Sequence, residues 1–319
     1  MARDLPESCC RLLERQRGVV SRRQALVLGA DPSSIHARLR SGRWQPVHRG
    51  VYAAFTGELG REATMWAALL RAGPAAILSH YSAAELDGLT DEPNRAIHIM
   101  VPIARTVPAT PGIVFHRSHR IWAARHPSRT PPRTRVEETV LDLAEGARTL
   151  DDAVGWLARA CGRRLTQAER LRRAMDARSK MRWRTDLALA LSDIGDGAHS
   201  LLEYRYVRNV ERAHALPKAK RQAPILVGGR RGYLDNLYQP YGVGTELDGS
   251  AAHPIEERWH DIHRDNAAAQ AGIEILRYSW ADVTARPCQV AAQLCAVLRE
   301  RGWESTPKRC APACAVPVP

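Results

Sequence analysis

Three carboxylates toward the C-terminal end of this 319-residue chain stand at spacings that suit a divalent cation. Asp235 lies in the run Tyr233-Leu-Asp-Asn-Leu-Tyr238, and Glu246 and Asp248 lie in Gly244-Thr-Glu-Leu-Asp-Gly249. The two runs read as short strands joined by a glycine-containing turn. Side chains alternate along a strand, so Glu246 and Asp248 are expected on one face while Leu247 points the other way into apolar packing. Carboxylates gathered on one face repel each other unless a cation neutralises them, and an all-oxygen ligand set suits Mg2+ or Mn2+.

Such a site could hydrolyse a phosphodiester. That reaction needs charge stabilisation on the phosphate, an activated water and a proton for the leaving oxygen. Asp235 and Glu246 are the candidate metal ligands, Glu203 is placed to hold a metal-bound water, and His253 is the candidate general base because its ordinary pKa lies near neutrality. The competing reading is a surface hairpin whose acids are merely solvated, or a nuclease-like domain without activity.

These residues recur in a specific order. Ser200-Leu-Leu-Glu203 opens a helix, Gln222 sits on the next strand, and Asp235, Glu246-Leu-Asp248-Gly249, His253, Arg264-Asp-Asn266 and Gly272-Ile-Glu-Ile-Leu-Arg277-Tyr-Ser-Trp280 follow. In that order the stretch Ser200 to Trp303 resembles the DUF559 domain, a branch of the PD-(D/E)xK nuclease superfamily close to the very-short-patch repair endonucleases. The resemblance implies a restriction-endonuclease-like domain with a central mixed sheet flanked by helices, and it places Arg264 and Arg277 near the scissile phosphate or in pairing with Asp265. One departure matters: Asp248 stands where the superfamily carries a Lys. In the related repair endonucleases a His occupies that position and a second His falls at that of His253, which assigns His253 the work of activating water.

The N-terminal stretch carries a second pattern. Ser21 is a suitable N-cap and Gly29 a suitable stop for a helix over Arg22–Leu28. Ala30-Asp-Pro32 turns the chain into Ser33-Ser-Ile-His-Ala-Arg-Leu-Arg40, whose Ile35 and Leu39 make an apolar stripe beside a basic face. Two short helices with a tight turn form a helix-turn-helix, and the alternating run Arg43 to Tyr52 reads as the wing of a winged helix, with Trp44, Val51 and Tyr52 as core. The elements S-R-x-Q-A-L, S-G-R-W and H-R-G-V-Y, spanning Gly18 to Ala53, resemble the N-terminal domain of AbiEi-family antitoxins of type IV toxin–antitoxin systems. That resemblance implies that Ser33, Ser34, His36, Arg38 and Arg40 face double-stranded DNA and that Arg43, His48 and Arg49 touch phosphate.

The remaining chain is organised more than decoded. Strands are expected over Ile97–Val101 and Ile113–Arg117, and L-S-H-x-S-A-A with I-H-x-x-V-P accompanies the winged helix in the antitoxin-like family as a small α/β module. Ser79, His80 and Asp87 are not read as a hydrolase triad, because neighbours at a helix start cannot align as nucleophile, base and orienting acid. His260 and His263 beside His253 read as solvated helix histidines in preference to a zinc site. The seven cysteines lack zinc-finger spacing, apart from the loose Cys310 and Cys314 pair, and read as free thiols.

A formal charge of +13 and a pI near 9.9 agree with a polyanionic partner. No apolar run reaches membrane-spanning length and no signal peptide is visible, so no membrane partner is expected and the expected compartment is cytoplasmic.

The reading is α/β (α+β overall): a winged helix-turn-helix over 1–56, a helical α/β middle module over 57–195, the nuclease-like domain over 196–305 and a disordered tail over 306–319. Functionally it is a DNA-binding protein with a Mg2+-dependent endonuclease domain. The alternative is a non-catalytic antitoxin-like regulator on a nuclease-derived scaffold, with a nucleotidyltransferase toxin as its partner. Oligomeric state is left open, since no heptad or dimer helix stands out.

Overall fold

In a computed structural model, which describes residues 5–195, 200–227, 230–248 and 266–317, the N-terminal stretch follows its local signals closely. It runs α1 (Glu7–Arg15), β1 (Val19–Ser21), α2 (Arg22–Val27), α3 (Pro32–Arg40), β2 (Gln45–His48) and β3 (Val51–Ala53), with a sheet in the order β1-β3-β2. Ser21 caps α2 as expected: its hydroxyl accepts the Gln24 amide while the Gln24 side chain accepts the Ser21 amide. Gly18 joins α1 to β1 at φ +81, and a Cβ there would stand 2.7 Å from the Phe55 ring, so no other residue fits without displacing it. Trp44 and Val51 are buried, and Tyr52 packs partly against the core around Trp44.

The chain divides into two compact units, Met1–Gly146 and Ala147–Pro319. The stretch 57–195, read from the sequence as one module, is therefore shared between them. In the first unit, α4 (Arg61–Ala72), β4 (Ile77–Leu78), α5 (His80–Leu86), β5 (Ile97–Pro102), β6 (Ile113–Ser118), α6 (Ile121–Ala124) and α7 (Val136–Glu145) follow the winged helix. The sheet β4-β5-β6 mixes an antiparallel and a parallel pairing, and Ile97, Ile99 and Val101 pack under Met65 and Leu69 of α4. Val19 and Val51 of the winged helix share a core with Ala63 and Ala67 of α4.

The second unit begins with three helices, α8 (Leu150–Gly162), α9 (Ala168–Asp176) and α10 (Arg184–Gly195). It continues through α11 (Leu201–Tyr206), which runs on into a wide π-type turn over Val207–Arg212, to β7 (Lys220–Val227), β8 (Arg230–Tyr238), β9 (Val243–Asp248), β10 (Glu274–Ser279), α12 (Trp280–Ala285) and α13 (Pro287–Glu300). The central mixed sheet expected here is present, in the order β10-β9-β8-β7, with β9 and β10 parallel and the other pairs antiparallel. Tyr238, Val243 and Tyr278 of the sheet pack with Leu202 and Tyr206 of α11 and with Leu294 and Leu298 of α13. The tail departs from the expectation of disorder: Cys314 and Val316 are buried in that same core.

Within the core sits a polar network that the sequence did not disclose. Glu211 and Arg221 form a buried ion pair at 2.7 Å, with side chains 7% and 4% exposed. Glu211 also accepts the Tyr238 hydroxyl at 3.2 Å and the Ala219 amide at 3.3 Å. Arg221 reaches Asn236, which donates to Thr245, and the Tyr206 and Tyr238 hydroxyls meet at 2.8 Å. Burial raises the Glu211 carboxyl above its usual range, and the Arg221 charge and hydrogen bonds oppose that rise without cancelling it. Removing the cation alone strands a buried carboxylate. Arg221→Met is therefore expected to destabilise the second unit by about 3–5 kcal/mol in denaturant titration, while the double variant Glu211→Leu with Arg221→Met should recover most of the loss.

Candidate functional site

Two surfaces gather the residues singled out by the sequence, one in each unit. In the first, Ser33, His36 and Arg40 of α3, Arg43 after it and Arg49 at the wing tip are exposed. Ser34 departs from the expectation, being 6% exposed and packed within the domain, because it adjoins Ile35 on the inward stripe of α3. Arg38 is also half-buried and close enough to lower the Cys9 thiol, whose pKa is raised mainly by burial and by Cys10. The outward face of α3 is thus narrower than the sequence pattern implied. His48 is half-buried, and burial, with Arg71 adding to it, holds its pKa below the ordinary histidine value. At neutral pH it is an uncharged donor, so any phosphate contact it makes is a hydrogen bond without ionic attraction.

The structure adds cations that sequence reasoning had only placed on a helix. Arg22 and Arg23 at the start of α2 are exposed, and with Arg49, Gly50 and Leu70 they line a groove of about 910 Å3 between α2 and the wing. The wing is held to this helix by the Arg22 amide, which donates to the Gly50 carbonyl at 2.8 Å. No carboxylate is among the described lining residues. The adjacent Arg22-Arg23 pair was the available signal.

The second surface lies on the sheet of the other unit. The ladder pairs Asn236 with Thr245 and Tyr238 with Val243, and these side chains turn toward the helical core. By strand alternation Asp235, Glu246, Asp248 and Arg277 occupy the opposite face, with Asp235 and Glu246 one step past the last ladder pair. Leu247 packs against the core, as expected. Asp235 is half-buried and both its oxygens are engaged: Gln222 Nε2 donates to Oδ1 at 3.1 Å, and the Leu247 amide donates to Oδ2 at 2.9 Å.

Gln222 itself has φ 44, a left-handed conformation that costs a non-glycine residue about 1–3 kcal/mol, and the β7–β8 ladder skips it between Arg221↔Asn236 and Ala223↔Leu234. Asp235 is held from both neighbouring strands, at a gap in the β7–β8 ladder and one step past the end of the β8–β9 ladder. Sequence reasoning placed Gln222 in the pattern and missed its positioning role.

Glu246 is 4% exposed, and Arg277 stands beside it in the β9–β10 register. Arg277 Nη1 lies 3.3 Å from Asp248 Oδ1, so the carboxylate found where the superfamily has a Lys is paired with a cation. Glu203 occupies the first turn of α11, 9% exposed, its amide bonded to the Ser200 hydroxyl at 3.1 Å. Among the described residues, the groups of three or more His, Cys, Asp or Glu able to converge on one ion do not include these acids. His253 and Arg264, with Asp265, His260 and His263, lie outside the described residues.

The Ser79, His80 and Asp87 set does not assemble as a relay. His80 Nδ1 lies 3.0 Å from the Ser79 hydroxyl, but Asp87 is buried against Arg133 at 2.8 Å. His80 instead stacks on His116 at 3.6 Å between ring centres, and His98 Nδ1 meets His116 Nε2 at 3.0 Å. Burial, with the His98 charge adding to it, brings His116 down to about 4, and burial with Arg61 lowers His98 as well.

Both rings bind protons more weakly folded than unfolded, so the unfolded chain gains protons first as pH falls. The stability of the first unit should be level above about pH 6.5 and decline as pH falls from there toward 4. Thermal melts at stepped pH should show that decline, and His116→Gln should flatten it.

Residues 11–54 match the family described as "Transcriptional regulator, AbiEi antitoxin". The matched stretch coincides with the winged helix, so this N-terminal part carries a domain of that type. No curated protein matches the chain. Among solved structures, the RV2827C protein from Mycobacterium tuberculosis is similar at 20% identity and a TM-score of 0.37, over 64% of this chain and 81% of that one.

Proposed function

We propose that this protein grips duplex DNA with its N-terminal winged helix and that its C-terminal unit hydrolyses a phosphodiester. The first half of the reading is carried by the cationic groove of Arg22, Arg23 and Arg49 beside the exposed Arg40 and Arg43, a surface suited to the regularly spaced charges of a nucleic-acid backbone. The match of residues 11–54 to an antitoxin regulator family supports it. The second half rests on Asp235, a carboxylate oriented from both sides by Gln222 and the Leu247 amide on the same face as Glu246.

Both acids are hard oxygen donors of the kind Mg2+ or Mn2+ prefers, and such an ion would stabilise the charge gathering on the phosphate. The residues of the chain would supply the rest. Glu203 would hold a water, His253 would take its proton, and Arg264 would meet the phosphate. Arg277 would share its charge between that phosphate and Asp248.

A second reading, a regulator that binds DNA without cutting it, is favoured by the Arg277–Asp248 pair, which ties up the position where a lysine would otherwise polarise water. In that case a nucleotidyltransferase toxin is the expected protein partner, and the carboxylate face is a scaffold.

Two measurements test these readings. In binding titrations on duplex DNA over a range of salt, Arg40→Ala, Arg43→Ala and Arg49→Ala should each weaken affinity evenly across sequences and each reduce the salt slope by about 1. In plasmid assays the wild type should nick supercoiled DNA only with Mg2+ or Mn2+ added, and Asp235→Ala should abolish nicking while binding is unchanged. If wild type and Asp235→Ala both leave the plasmid whole yet shift one promoter fragment specifically, the regulator reading stands and the hydrolytic one fails.

A further inference from the structure

Four side chains widely separated in sequence meet at the end of the second unit. His214, Cys288, Cys310 and Cys314 each offer one ligand atom, and these atoms all lie within 4.8 Å of one another. Three segments supply them. His214 follows the π-type turn, Cys288 lies in the first turn of α13, and Cys310 and Cys314 come from the Pro/Ala-rich tail.

His214 is wholly buried, and its ring is oriented by a bond from Nδ1 to the Val210 carbonyl at 2.9 Å. The proton therefore resides on Nδ1, which leaves Nε2 as a bare lone pair. That nitrogen is buried and has no hydrogen-bond partner. A buried acceptor without a donor is costly and rare in native proteins, and here it accompanies three sulfurs. A histidine that donates through one nitrogen to a backbone carbonyl and presents the other to soft ligands has the arrangement typical of a metal-bound imidazole.

The sulfurs point the same way. Cys288 and Cys310 are 3.3 Å apart at Sγ, well beyond the length of a disulfide bond. Ligands about 2.0–2.3 Å from one tetrahedral ion stand about 3.5–3.8 Å from each other, so the observed cluster needs only small adjustments to close on a centre.

We infer that His214, Cys288, Cys310 and Cys314 form a tetrahedral structural zinc site that clamps the C-terminal tail onto the second unit. Three thiolates and an imidazole make a closed set for Zn2+, with no open position for a substrate, so the role is structural. The site accounts for the docking of a segment with few large apolar side chains. The Lys308 amide donates to the His214 carbonyl at 2.9 Å, and Val316 is fully buried beside Cys314. On binding, the thiols release their protons to solvent and no redox change occurs.

The full-length protein, purified under reducing conditions, should contain one equivalent of zinc by mass spectrometry of the metal. Co2+ replacing it should give the intense visible absorption of a tetrahedral thiolate site. Cys310→Ser and Cys314→Ser should each lose the bound metal and the cobalt spectrum, and chelation should expose the tail to proteases. Cys310 is exposed, so its variant tests the site without disturbing the core. Cys161→Ser and Asp235→Ala should both retain full zinc, which separates this site from the other thiols and from the carboxylate face. A reduced wild type that takes up no zinc, a Cys310→Ser variant that keeps its full equivalent, or a Cys288–Cys310 disulfide as the resting state would overturn the inference.

Discussion

A carboxylate taken out of water must find a cation and donors, and in the second unit that requirement sets the register of the sheet. Glu211, on the π-type turn after α11, is answered by Arg221 from β7 and by the Tyr238 hydroxyl from β8, while Arg221 is held in turn by Asn236. Tyr238 and Asn236 lie two residues apart on one face of β8, so both can serve this network in one register alone. A slip by one residue would turn them to the other face, leave the charges unpaired and carry Asp235 into the core. The position of the candidate hydrolytic face is thus a consequence of a buried ion pair on its reverse side.

That constraint also explains where strain collects. Gln222 lies between Arg221 and Ala223, both of which pair regularly with β8, yet its own backbone is left-handed and its side chain turns to Asp235. With Arg221 anchored in the core, the conformational cost falls on the next residue. Asp235 accepts from the Leu247 amide just past the last β8–β9 ladder pair. Local distortion of this kind is tolerated where the surrounding structure over-determines it, and here it orients one acid.

The first unit is built by different means. Its winged helix is nearly all local: a capping box at Ser21, a left-handed glycine at Gly18, and Gln16, whose side chain donates to the Val19 carbonyl at 2.8 Å and is joined to Gln24. These short-range devices set the ends of the elements, and the pairing of β1 with β3 and the bond from the Arg22 amide to the Gly50 carbonyl then place α2 and the wing side by side, so that Arg22, Arg23 and Arg49 converge. A surface that depends on turns and caps is legible in sequence. One that depends on which side of a helix faces inward is less so, and Ser34 and Arg38 show the error: both belong to a plausible polar face, and both are drawn toward the core by the roll of α3.

The sequence by itself determined the order of elements at both ends, the caps, the alternation that separates Leu247 from Glu246 and Asp248, and the cationic helix-turn-helix, because each of these is decided by neighbours within a few residues. The tertiary structure alone decided the division at Gly146, the pairing of Glu211 with Arg221, the coupling of Gln222 to Asp235 and the Arg277–Asp248 contact. It also decided the fate of the tail. Cys310 and Cys314 look like stray thiols until α13 brings Cys288, and the turn after α11 brings His214, to the same place. Ligands drawn from three distant segments leave no periodicity in the chain, since their spacing is set by packing in space and not by the repeat of a helix or a strand.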